Sequence, residues 1–134
     1  MNALDHVGVA VPDLEAALSA LAPFLQSATV TREEVSEQGV SVAMVKLPGC
    51  HLELLSPLSP ESPVGKFLAK RGPGLHHVAF RVEDVAAELA RLEGQGYELI
   101  DRAPRRGAGG KSIAFLHPRS TGSVLVELCA PGTP

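Results

Sequence analysis

Apolar and polar or small residues alternate strictly at the start of the chain. Leu4, His6, Gly8 and Ala10 fall on one side of an extended segment over residues 4–11, and Val7, Val9 and Val11 on the other, which is the period of a strand. The valine face is expected to be the buried one. Gly8 and Ala10 remove bulk beside the His6 imidazole, as a cleft would need. Pro12 ends the strand, and Asp13 is placed to cap a helix over 14–25 whose apolar residues Leu14, Ala17, Leu18 and Leu21 recur at helical spacing, with Pro23 near its end. A strand over about 28–35, a turn at Gln38-Gly39 and an alternating strand over 40–47 follow. Pro48-Gly49 then turns the chain into a strand over 51–55, where Leu52 and Leu54 oppose His51, Glu53 and Leu55.

Residues 56–63, rich in proline and serine, read as a connector, and residues 64–70 as a short helix ended by Arg71-Gly72-Pro73-Gly74. The pattern then restarts. Gly74–Val85 repeats the plan of Ala3–Leu14: an apolar strand with one histidine near its start, an acidic turn, and a helix. His77 follows His6 by 71 residues. Asp84 is placed to cap an amphipathic helix carrying Val85, Ala86, Leu89 and Leu92, closed at Gly94 or Gly96. Beyond it the pattern predicts a strand over 97–100, a basic glycine-rich loop over 104–111, a strand over 112–116, a turn over 117–122 and a last strand over 124–129. In that strand Leu125, Glu127 and Cys129 oppose Val124, Val126 and Leu128, and Glu127 follows Glu53 by 74 residues. A period this long is no solenoid repeat but one supersecondary module used twice. The expected fold is α+β: paired βαβββ modules, about residues 3–58 and 74–130 of a single domain, forming curved mixed sheets around a metal-binding cleft.

Composition changes the picture mainly by exclusion. The 134 residues carry a net charge of −3 with no Lys/Arg block, no Trp and only 4% aromatic residues, so neither an electrostatic footprint for nucleic acid nor a base-stacking surface is expected. Apolar runs fall short of the roughly 18–20 residues of a membrane span, and no basic stretch precedes an apolar one at the N-terminus. No membrane partner and a cytoplasmic location are expected. Cys50 and Cys129 lack CxxC spacing and read as small buried hydrophobes.

The candidate chemistry lies in the strands. A carboxylate in mid-strand is costly to bury without a partner, and the neighbours Leu52, Leu54, Val126 and Leu128 offer none. A divalent cation would resolve the cost, with His6 and His77 at matching positions of the two copies completing a mixed N/O donor set. Such a set admits cobalt, manganese, nickel, zinc or magnesium and contains none of the thiolates typical of structural zinc. His51, on the face of Glu53, is the substitute ligand; His76 faces the other way, and His117 belongs to a turn. Gly107–Lys111 could hold a phosphate through backbone N–H groups and the lysine charge, and Arg105, Arg106 and Arg119 could recognise an anionic substrate.

Blocks spread over nearly the whole chain also carry a family resemblance. Leu4-Asp5-His6-Val7, Glu37-Gln38-Gly39-Val40, Glu53–Leu58 and Ser62–Leu68 resemble the vicinal oxygen chelate (glyoxalase/bleomycin resistance/dihydroxybiphenyl dioxygenase-like) superfamily. Gly74-Leu75-His76-His77-Val78, Gly107–Lys111 and His117-Pro118-Arg119-Ser120-Thr121-Gly122, taken together, are more specifically similar to its methylmalonyl-CoA epimerases. The resemblance implies that His6, Glu53, His77 and Glu127 ligate the metal and that the substrate is an acyl-CoA. It implies interconversion of (R)- and (S)-methylmalonyl-CoA by α-proton abstraction through a metal-stabilised enolate, in a homodimer. Glu127 is the candidate base, with Glu53, a water or a loop residue as second proton carrier, and Lys111 and Ser120 as substrate contacts.

Two segments depart from relatives. Some use a carboxylate on the strand after the Glu-Gln-Gly turn, where Val40-Ser41-Val42-Ala43 has none, and the aromatic-rich helix of relatives is replaced by Ala20–Leu25. The alternatives are a glyoxalase I-like lactoylglutathione lyase and a non-catalytic small-molecule-binding protein of the same fold.

Overall fold

A computed structural model describes residues 3–132, which divide into two compact units: residues 6–76, and residues 77–132 together with residues 3–5. In the first unit, strand β1 (Ala3–Ala10), whose first residues belong to the second unit, leads to helix α1 (Leu14–Leu21), and strands β2 (Thr29–Val35), β3 (Val40–Lys46) and β4 (His51–Pro57) follow before helix α2 (Pro63–Arg71). Hydrogen bonds order the strands β2-β3-β4-β1, with β1 parallel to β4 and the others antiparallel. The second unit repeats this. Strand β5 (Gly74–Arg81), whose first residues belong to the first unit, leads to helix α3 (Val85–Gly94), then β6 (Arg105–Arg106), β7 (Ser112–Leu116) and β8 (Val126–Ala130). The order is β5-β8-β7-β6, with β5 parallel to β8. The paired βαβββ fold expected from the repeat is the fold observed.

Capping starts α1 and α3 where their aspartates predict. Asp13 Oδ1 accepts from the N–H groups of Glu15 and Ala16 at 2.9 and 3.2 Å, and Asp84 Oδ1 from that of Ala87 at 3.1 Å, satisfying donors that no earlier turn can. Each helix covers one face of its own sheet. Leu14, Ala17, Leu18 and Leu21 pack on Val9, Val11, Val30, Ala43, Leu52 and Leu54. Val85, Leu89 and Leu92 pack on Ala114, Leu116, Leu128 and Ala130. Removing a leucine such as Leu89 from water contributes about 1.5–3 kcal/mol.

Five expectations are corrected. Helix α1 stops at Leu21 and continues only as a 3-10 turn over Ala22–Phe24, because the Pro23 ring cannot donate to the helical ladder. Residues 97–100 form no strand beyond a single bridge from Leu99 to Leu116. There the N–H groups of Ile100 and Asp101 both converge on the Phe115 carbonyl, and the Asp101 carboxylate accepts from Phe115 N at 2.8 Å, a turn geometry that leaves no ladder. The edge strand is β6, inside the stretch expected to be loop. The last strand begins at Val126 rather than Val124, since Ser123 takes a left-handed φ of 71° and Val124 N donates back to Thr121. On β1, finally, His6, Gly8 and Ala10 are buried while Val7 and Val9 are only partly so. One eight-residue helix covers the valine face incompletely.

Beneath α2 the backbone is crowded. Ser62 caps the helix, its hydroxyl accepting from Gly65 N at 3.2 Å and donating to the Ser59 carbonyl at 2.8 Å. A methyl group at Gly65 would lie 2.5 Å from the Ser59 carbonyl oxygen and 2.6 Å from that of Pro60. Gly65→Ala is therefore expected to lose about 1–3 kcal/mol despite its better helix propensity, read as a lower urea midpoint at unchanged m-value.

Candidate functional site

The register of each sheet places one histidine and one glutamate on the face away from the helix. Gly8 lies across from Glu53 in the β1–β4 pair, and Ala79 across from Glu127 in the β5–β8 pair. In both units the histidine stands two residues before the small partner, so imidazole and carboxylate share a face as diagonal neighbours. Neither Gly8 nor Ala79 carries bulk between them. His6 Nε2 lies 3.6 Å from Glu53 Oε1, and His77 Nε2 lies 3.3 Å from Glu127 Oε1. All four residues are buried, at 2%, 5%, 4% and 5% exposure respectively.

These separations exceed the roughly 2.7–3.2 Å of an N–H···O hydrogen bond. Two donor atoms each about 2.1 Å from a common ion, roughly 90–110° apart, stand about 3.0–3.4 Å from one another. The donor types of both pairs suit a divalent cation, and the 3.3 Å spacing of His77 and Glu127 falls within that range. Burying a carboxylate carries a desolvation cost that a cation beside it would offset.

Each imidazole is held by its surroundings. Phe115 shares the face of Glu127 through the β7–β8 register and meets the His77 ring edge-on at 5.6 Å, an arrangement favoured by the aromatic quadrupole. His51 sits beside His6 in register and is half-buried. His76 meets the Phe67 ring edge-on at 4.9 Å.

Asp5 is the polar residue that sequence reasoning left without a role. It is 4% exposed, and its carboxylate accepts from Arg81 Nε at 3.2 Å and Lys111 Nζ at 3.1 Å. Its one sequence signal is a carboxylate on the otherwise apolar valine face, whereas its cations lie 76 and 106 residues away. Through Lys111 it ties down the glycine loop, where Gly109 and Gly110 take φ of 70° and 72°, open to glycine without strain.

Next to this loop Arg105, Arg106, Lys111 and Ser112 line a cavity of about 490 Å³. Arg105 pairs with Asp101 at 3.1 Å and lies over the Phe115 ring. The Ser120 hydroxyl accepts from Glu98 N at 2.9 Å, and His117 Nδ1 accepts from Arg119 N at 3.1 Å, so both side chains help build the turn before β8.

A repeated βαβββ fold with a buried histidine–glutamate pair in each copy defines a class, and sequence comparison agrees with it. Residues 5–115 match the Glyoxalase/Bleomycin resistance protein/Dioxygenase superfamily, and the chain belongs to that family. Among its relatives, the uncharacterized protein YqjC of Bacillus subtilis is 48% identical over 98% of this chain and 94% of its own. The ethylmalonyl-CoA/methylmalonyl-CoA epimerase of Cereibacter sphaeroides is 39% identical over 93% of this chain and 95% of its own. A solved methylmalonyl-CoA epimerase in complex with methylmalonyl-CoA and NH4+ superposes with a TM-score of 0.91 at 37% identity, covering 100% of this chain and 99% of that one.

The two cysteines separate by environment. Burial pushes the Cys129 thiol up to about 12, with the charges of Asp5 and Glu127 adding to the shift, whereas Cys50 is half-buried in a turn. Because the thiolate is the reactive form, iodoacetamide at pH 8 is expected to label Cys50 and leave Cys129 unmodified until the protein is denatured, as read by peptide mass spectrometry.

Proposed function

We propose that the chain is a methylmalonyl-CoA epimerase in which His6, Glu53, His77 and Glu127 hold a divalent metal. The observation that carries this reading is the pair of matched, buried histidine–glutamate sites, one per module, in a chain 39% identical to an enzyme of that name. When bound, the cation would supply Lewis-acid polarisation of the substrate's carbonyl oxygens, lowering the cost of carbanion charge at the α-carbon. Cobalt, manganese, nickel, zinc and magnesium all suit these donors.

The chain's own residues do the rest. Glu127 takes the α-proton lying between thioester and carboxylate. Phe115 and the apolar residues around it, Ala79 and Ile113, keep water from the reacting carbon, which strengthens every charge interaction there. Arg105, Arg106 and Lys111 present positive charge at the cavity, suited to the phosphates of a coenzyme A tail. Both modules are read as one domain, and the protein as a cytoplasmic homodimer in propionate metabolism. Among the described residues no helix is long and apolar enough to cross a membrane.

Proton NMR of methylmalonyl-CoA in D₂O tests the reading. The metal-loaded protein is expected to wash out the α-proton and invert the centre, the metal-stripped protein to do neither, and Glu127→Gln to slow both by about 100-fold or more. Absence of exchange with every metal tried would overturn the assignment.

A further inference from the structure

Returning a proton to the opposite side of a planar enolate calls for a second carrier besides Glu127. Glu53 stands beside His6 in a donor pair, as Glu127 does beside His77. The register of the first sheet supplies another group. Arg32 on β2 reaches Glu15 of α1 at 2.8 Å, so Arg32 lies on the helix side and Glu33 on the side of His6 and Glu53. Glu33 is paired across β2–β3 with Val42, and Val42 across β3–β4 with Leu55. Leu55 is paired in turn with Ala10. Glu33 therefore ends a cross-sheet row whose other members, Val42, Leu55 and Ala10, are all buried apolar residues. The neighbouring row, Gly8–Glu53–Met44–Thr31, contains the metal-type carboxylate. On this face of the described strands of the first unit, Glu53 and Glu33 are the two carboxylates, one buried and one exposed.

We propose that Glu33 is the second proton carrier of the reaction, an inference that rests on the epimerase reading above. Strand spacing and rise put the Cα atoms of Glu33 and Glu53 roughly 12 Å apart, which leaves room for a small branched acyl unit over the apolar row between the two side chains. Val42, on the strand where some relatives have a carboxylate, is the residue directly across from Glu33 on the same face, so Glu33 sits one strand further out. Exposure serves the cycle. Glu127 removes the α-proton as the C–H electron pair moves into the enolate. A protonated Glu33 then delivers its proton to the other side of the carbon, and both carboxyl groups return to their starting states by exchange with water.

The second module shows how this position has diverged. Arg105 pairs with Ile113, Ile113 with Cys129 and Cys129 with Arg81, so Arg105 stands in its sheet where Glu33 stands in the first. One copy thus carries a carboxylate able to move a proton. The other carries a guanidinium, which cannot deprotonate near neutral pH and is suited to holding an anion.

The test compares wild type, Glu33→Gln and the double variant Glu33→Gln/Val42→Glu, each loaded with cobalt. Separate (R)- and (S)-methylmalonyl-CoA samples in D₂O are followed for α-deuteration and for inversion, beside thermal melts and metal titrations. Glu33→Gln is expected to melt and bind cobalt as wild type does. Inversion should fall about 100-fold or more, while deuterium still enters one of the two stereoisomers. The carboxylate at position 42 should restore at least a tenth of the wild-type inversion rate. Inversion within threefold of wild type in Glu33→Gln would overturn the role of Glu33 and leave the epimerase reading standing. Equal loss of exchange from both stereoisomers, with no rescue by Val42→Glu, would overturn it as well. A wild type that exchanges neither stereoisomer would remove both readings.

Discussion

Burying a carboxylate in the middle of a strand is the constraint on which this structure turns. Glu53 and Glu127 are each taken out of water between leucine or valine neighbours, and each finds an imidazole on the adjacent parallel strand. That meeting needs three conditions at once: a parallel pairing, a histidine two residues ahead of the glutamate's partner, and a partner too small to intervene. Gly8 and Ala79 meet the last condition. A larger side chain at either position would stand between ring and carboxylate and leave a buried charge without its neighbour, at a cost of several kcal/mol.

Everything else in each module can be read as support for that arrangement. The helix covers the opposite face and is started by an aspartate cap, so the functional face is left to the histidine, the glutamate and a few apolar residues. In the second module Phe115 sets the plane of His77, and Asp5 spends its buried charge on Arg81 and Lys111, anchoring the glycine loop and the basic cavity beside it. The copies then differ where a reaction with two distinct ends would need them to. At the equivalent edge position one presents Glu33 and the other Arg105.

Much of this was legible beforehand. Alternation identified the faces of β1, β3, β4 and β8, because side chains on a strand alternate regardless of what covers them. Asp13 and Asp84 announced their helices, because an N-cap is satisfied locally. The repeat showed that His6 and His77, and Glu53 and Glu127, occupy matching places. Less could be read where the determinant is not local. The segment around residues 97–106 carries ordinary strand residues, yet whether Tyr97–Ile100 or Arg105–Arg106 pairs with β7 depended on hydrogen bonds converging on Phe115. The valines of β1 read as core, but the extent of their burial depended on how much of the face α1 spans.

By itself, then, the sequence determined the modules, their duplication, the helix starts and the set of residues able to serve as metal donors, since periodicity, capping and residue chemistry act over a few neighbouring positions. Only the tertiary structure decided which strand lies beside which, and with it three pairings: Glu53 with His6, Asp5 with cations 76 and 106 residues away, and Glu33 at the end of the row that starts at Ala10. Each depends on register between strands distant in sequence, and register is set by the packing of the whole sheet.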